Sequence, residues 1–414
     1  MPLSEILHQG SAQDRLQRAL AVGRLPHAYL FTGPDGIGKE MLATRLAAVL
    51  LCPHRQKVRP TPQAAGSLAE WQDACGTCLD CQLMAAGNHP DFHRIYRTLN
   101  KAHPDKTIQK RKAVELGIDV IRHFMIEKIG LRPARDMAKV FIVIEAERLS
   151  AGAQNAMLKT LEEPPGHSHL ILLAASADTL LPTTRSRCHE LALRTLPPEF
   201  IRRHLIENRA VSAERATFLA ELSQGSLGAA LRCCTYGLDE KLGEMLSLLD
   251  RATDDPLACS KALQDMAKAL AETIASATKA ATDEDEETKD LNVTRLAQTM
   301  VFGMVSTILR DVQRATVGEA AKALPSETRI ARLARRTTTQ GVRRAIQAVS
   351  AAEYHVTRNV NTGLIFDTLG IAIGDGLAPA TVSAWCGTTT PSPLSTSPSS
   401  GPPAGPRTSS SAGR

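Results

Sequence analysis

The feature that most restricts the fold is a short apolar run, Tyr29 to Thr32, followed at once by Gly33-Pro34-Asp35-Gly36-Ile37-Gly38-Lys39 and then by an Ala- and Leu-rich segment reaching Leu51. The order is strand, loop, helix, and the loop matches a phosphate-binding P-loop as far as the lysine. Gly33, Gly36 and Gly38 let the backbone curl so that its N–H groups and the helix N-terminus face a phosphate, while Lys39 supplies a point charge to the outer phosphates. The plainer reading is a glycine turn followed by a lysine that starts a helix.

The rest of the first half supports an α/β fold. Ala12 to Val22 reads as a helix, Val140 to Ile144 as a fully buried strand, and His169 to Leu173 opens another. Between those strands Ala153, Met157 and Leu161 fall on one helical face, and Pro164 and Pro165 stop the helix. This alternation runs to about residue 195 and predicts a doubly wound α/β domain, whereas residues 197–385 are helical in pattern apart from the Gly225 to Gly228 turn and the acidic run Asp283 to Glu287. The segments Pro53 to Ala65 and Asn100 to Lys112 read as loops. From residue 386 the chain is Ser, Pro, Thr and Gly with hardly any apolar residue, so a disordered tail is expected over 386–414.

A chain of 414 residues predicts two or three domains. No apolar run approaches the roughly 18 to 20 residues of a membrane span, and no basic-then-apolar leader opens the sequence, so a cytoplasmic protein without membrane association is expected. The net charge of +6 is small for this length and marks no dedicated nucleic-acid surface.

The P-loop departs from an active one where magnesium should be held. The residue after the lysine should be Ser or Thr, whose hydroxyl holds Mg²⁺, and here it is Glu40, which could bind the metal but would repel phosphates. An Asp is expected at the end of the Val140 to Ile144 strand, yet Ile144 stands there, leaving Glu145 as the carboxylate that would position water. A shifted register would instead make Glu145 the metal ligand, with Glu147 two positions on. ATP turnover with Mg²⁺ is therefore not expected, while Lys39 and its glycines leave nucleotide binding open.

Cys75, Cys78 and Cys81 form C-x-x-C-x-x-C, and Cys52, just past the P-loop helix, completes four. Such spacing presents successive thiolates to one tetrahedral Zn²⁺, and a closed four-cysteine site is structural. An iron–sulfur cluster and a redox dithiol are the competing readings, and His54 or His89 could replace one cysteine. A zinc-containing DNA-binding protein would use this cluster with the basic Lys101 to Lys112 segment, but no helix there interleaves aromatic and base-reading groups, and a solvated loop explains the lysines.

RLPHAYLF (Arg24 to Phe31), CGTCLDCQLM (Cys75 to Met84) with HPD (His89 to Asp91), NAMLKTLEEPP (Asn155 to Pro165) and SRC (Ser186 to Cys188) closely resemble the bacterial DNA polymerase III clamp-loader subunits. The resemblance is strong over about residues 5–195 and weak but collinear to about 385. It implies a AAA+ module over 1–195 with a zinc-binding insertion at 52–91, a helical lid at 196–245, and a helical collar at 246–385. Such a collar joins tau/gamma and delta subunits into a hetero-pentameric ring. That ring, at the replisome, opens the sliding clamp and places it on primer-template DNA. The resemblance assigns Arg187 the role of an arginine finger in the neighbouring subunit's ATP site. Hydrolysing members carry a polar sensor where this chain has Ala174 and Ala175, and a lid arginine after Gly-Ser-x where it has Gly228. Together with Glu40 and Ile144 these departures favour a non-hydrolysing subunit over an active AAA+ motor of the tau/gamma kind.

Overall fold

The computed structural model describes residues 2–59, 68, 70–111, 113–135, 137–279, 286–324, 327–358 and 360–379. The expected tail, most of the acidic run before Glu286, residues 60–65 and Lys112 lie outside them.

Among the described residues there are seven strands: β1 Ala28–Thr32, β2 Gln56–Val58, β3 Trp71–Asp73, β4 Phe92–Ile95, β5 Lys139–Val143, β6 Ser168–Ala174 and β7 His189–Ala192. Five form one sheet in the order β4-β5-β6-β1-β7, and every pairing in it is parallel. Alternation along the strands divides two apolar layers. Tyr29, Phe31, Val140, Ile142, Ile171 and Leu173 face the helices Gly10–Val22 and Lys39–Leu51, while Leu30, Phe141, Val143, Leu170 and Leu172 face Met157 and Leu161 of the helix Ala151–Glu162. Both faces are covered, which is why these strands read as unbroken apolar runs. The predicted doubly wound α/β unit is present.

Two segments expected to be loops hold structure. β2 pairs antiparallel with β3 as a hairpin, tied to the first long helix by Gln17, which donates to the Gln72 carbonyl at 2.9 Å and accepts from its N–H at 2.7 Å. Buried Asp73 accepts the N–H groups of Leu3 and Ser4 at 2.8 and 2.9 Å. Within 100–111 a short helix, Lys106–Gln109, forms because Asp105 caps it through the Thr107 N–H at 2.7 Å. Single polar residues decided both, through long-range bonds at the hairpin and a local cap at the short helix, and apolar spacing patterns do not register them.

Beyond residue 197 the described chain is helical. Ile201, Leu205, Phe218 and Leu219 share one apolar core with Val301, Val305, Phe366 and Leu369 of the later helices, so the short helices up to Thr235 pack into the larger helical body. No helix among the described residues is long and apolar enough to cross a membrane.

Candidate functional site

At the carboxyl end of β1 the glycine loop turns into the helix that begins at Lys39. Lys39 is only 9% exposed and is consumed by its own loop: Nζ donates to the Gly33 and Pro34 carbonyls at 2.5 and 2.9 Å and lies 3.3 Å from Asp35 Oδ1. A phosphate could recruit this ammonium only by displacing those partners.

The turn Gly225 to Gly228 closes onto the same loop. Ser226 Oγ donates to the Asp35 carbonyl at 2.6 Å while accepting the Ala229 N–H at 3.1 Å, so one hydroxyl caps the helix Leu227–Thr235 and fastens it to the P-loop. Gly228 N–H donates to the Gly36 carbonyl at 2.9 Å. The two glycines approach so closely that a Cβ on Gly228 would lie 2.7 Å from Gly36 Cα, and Gly36 itself has φ +74°. Gly228→Ala should therefore lower unfolding stability by about 1–3 kcal/mol through overpacking and speed amide exchange in residues 33–40; a melt and exchange pattern identical to the native chain would contradict the seat described here.

The cavity beside Lys39 measures about 610 Å³ and is lined by Asp35, Glu40, Glu145, Glu147 and Arg232 among others. Four carboxylates against Lys39 and Arg232 make it a poor home for a triphosphate. Two are drawn outward, Glu40 by an ion pair with Arg94 and Glu145 by Arg97 Nε at 3.0 Å. Glu145 sits at φ +53° directly after Ile144, and the Glu147 carboxyl is pushed up by burial and by Asp35. Arg232, which no motif marks, stands one helical turn beyond Gly228 and lines the cavity. Ala174 and Ala175 contribute backbone only, both carbonyls accepting the Gly33 N–H.

The four predicted cysteines converge, with all sulfurs within 4.8 Å of one another. Cys52 Sγ lies 3.7 Å from Cys75 and 3.9 Å from Cys78, and Cys75 lies 3.9 Å from Cys81. Sulfurs at about 2.3 Å from a tetrahedral zinc would be about 3.8 Å apart, so the set fits that ion. The backbone N–H groups of Thr77 and Cys78 lower the Cys75 thiol to about 6. His89 is turned away from the cluster, its Nε2 3.3 Å from Asp80, which also binds Arg135 at 2.8 Å. Asp91 accepts the Ala134 and Arg135 N–H groups at 2.8 and 2.9 Å. The His89-Pro90-Asp91 run thus braces the cluster and supplies no sulfur substitute, and His54 is not among the converging ligands.

Arg187 lies in the turn between the short helix Pro182–Arg185 and β7, and its side chain is 34% exposed. Cys188 beside it is half-buried against the sheet.

Comparison with known proteins covers these features. A family model described as DNA polymerase III, delta subunit, matches residues 8–197. Subunit delta' of DNA polymerase III from Pseudomonas aeruginosa is 35% identical over 239 residues, 56% of this chain and 63% of that protein. Over its first half the chain is similar to the delta-prime subunits of DNA polymerase III. The delta' of Escherichia coli K12 is 34% identical over 53% of this chain and 57% of its own length, and the tau subunit of that organism 30% identical over 55% and 32%. The chain thus spans about 60% of the length of these two delta-prime relatives. The family match contains the P-loop, the cysteine cluster and Arg187 and stops where the helical half begins.

Proposed function

We propose that this chain is the delta-prime subunit of a DNA polymerase III clamp loader and acts as a largely non-hydrolysing stator that helps place the sliding clamp on primed DNA. The observation that carries the reading is the seat of Gly228 on Gly36, which joins lid and P-loop directly by backbone contact. Nucleotide-driven motion of a lid needs the phosphate loop to be the variable element between the two bodies, and here protein groups occupy that junction. The cavity carboxylates and the engagement of Lys39 add to the case against Mg²⁺-ATP.

In this role the chain contributes to its neighbour's chemistry. Arg187 would enter the ATP site of an adjacent tau/gamma subunit, where a guanidinium stabilises charge developing on the transferred phosphoryl group. Partners would be tau/gamma and delta subunits in a hetero-pentameric ring, and through them the clamp and primer-template DNA. Cys52, Cys75, Cys78 and Cys81 would hold a structural Zn²⁺; four thiolates leave no open coordination position, so the ion would pin the insertion to the core and take no part in turnover.

The test is turnover and equilibrium nucleotide binding by the purified chain, with Lys39→Ala beside it, followed by clamp loading in a reconstituted complex. Negligible ATPase in both, with loading activity that depends on adding this chain, is the expected result. Motor-like turnover abolished in Lys39→Ala would instead establish an active AAA+ ATPase.

A further inference from the structure

Arg187 does not hang free. Its Nη1 donates to the Thr183 carbonyl at 2.8 Å, and its Nη2 lies 2.5 Å from Oε1 of Glu162. Thr183 belongs to the short helix just before the turn, whereas Glu162 is the last residue of the helix Ala151–Glu162, so two separate elements grip the two ends of one guanidinium. Ser186 Oγ donates to the same Thr183 carbonyl at 3.2 Å, fixing the turn itself.

Glu162 is oddly placed for helix stability. A helix C-terminus carries partial negative charge and favours cations, yet this helix ends on Glu162 followed by Glu163. The ion pair is half-exposed at both ends, 34% and 49%, a setting in which such pairs contribute little to folding. Neither local helix energetics nor global stability accounts for the carboxylate, while its contact with Arg187 does. Arg185, two residues earlier, takes a different partner, Asp178, at 2.6 Å, so the two arginines are held apart.

We propose that Glu162 is a positioning residue for Arg187, holding the guanidinium in one orientation before the neighbouring ATP site closes on it. The inference rests on the reading of Arg187 as the finger. An arginine side chain has many rotamers, and a finger already restricted to one loses less freedom at the transition state than a free one. The carboxylate therefore affects the chemical step and leaves ATP binding by the neighbour alone.

The experiment uses the reconstituted loader with native chain, E162Q, E162D, R187A and the E162Q/R187A double variant, reading kcat and KM for ATP under DNA stimulation. E162Q is expected to lower kcat roughly tenfold with KM unchanged, E162D to recover part of the loss, and the double variant to match R187A with no additional decrease. E162Q with native kcat, in a loader that R187A does slow, overturns the positioning role and leaves the finger standing. Loss in E162Q that adds fully to that of R187A, or that appears in KM, overturns it as well by assigning Glu162 to the interface. An R187A loader at the native rate removes the finger, and the positioning role with it. Melting of isolated E162Q at the native temperature is expected, and the double variant decides the matter even if it shifts.

Discussion

Arg187→Ala is expected to slow hydrolysis at the neighbouring ATP site proposed for it by roughly 10³-fold or more, the range over which arginine fingers act, while the variant folds as before. The reason for the asymmetry is where the side chain sits. Arg187 is a surface residue whose ion pair with Glu162 is solvated, so truncation removes little from the folded state, but phosphoryl transfer depends almost wholly on charges placed in advance around the transition state. Steady-state ATPase of the DNA-stimulated loader, measured with thermal melting of the isolated variant, reads both halves of the expectation. An unchanged rate would remove the finger assignment.

The second large effect follows from the zinc proposed for the four cysteines. Cys78→Ser is expected to abolish stoichiometric zinc and to loosen the segment from Cys52 to Asp91, because structural zinc sites contribute on the order of 10 kcal/mol to the folds they close. Cys78 is well placed to show this: its N–H points at Cys75 Sγ at 3.4 Å, and it precedes the helix Leu79–Ala85. Without the ion the hairpin of β2 and β3 keeps its ties to Gln17 and to the N-terminal segment through Asp73, so the sheet should survive with a lowered melting temperature. Elemental analysis distinguishes zinc from iron, and full zinc content in the serine variant would contradict the four-cysteine site.

Several of these features were legible because their information is local. The strand–loop–helix order fixes a P-loop by chain connectivity alone, and C-x-x-C-x-x-C brings three sulfurs together within a few residues. Even the fourth, Cys52, could be paired with them because it ends the helix that the P-loop starts. The expectation that β5 would lack its carboxylate is of the same kind, since Ile144 is read directly from strand register.

Other features depended on approach between distant segments. The family resemblance placed Gly228 where hydrolysing members carry an arginine, but it could not show that the absent side chain makes room for Gly36, nor that Arg232 would line the cavity a turn later. Lys39 reads as a phosphate ligand by position and is held by three loop oxygens in space. Glu40 reads as a repulsive charge, yet Arg94 on β4 takes it up.

The sequence by itself determined the kind of fold: a P-loop-like α/β domain with four clustering cysteines and a helical second half. Only the tertiary structure decided that the turn Gly225 to Gly228 is seated on the phosphate loop and that Glu162 grips Arg187. Spacing rules report neighbours along a helix or strand, whereas these contacts join residues whose proximity is set by how whole elements pack.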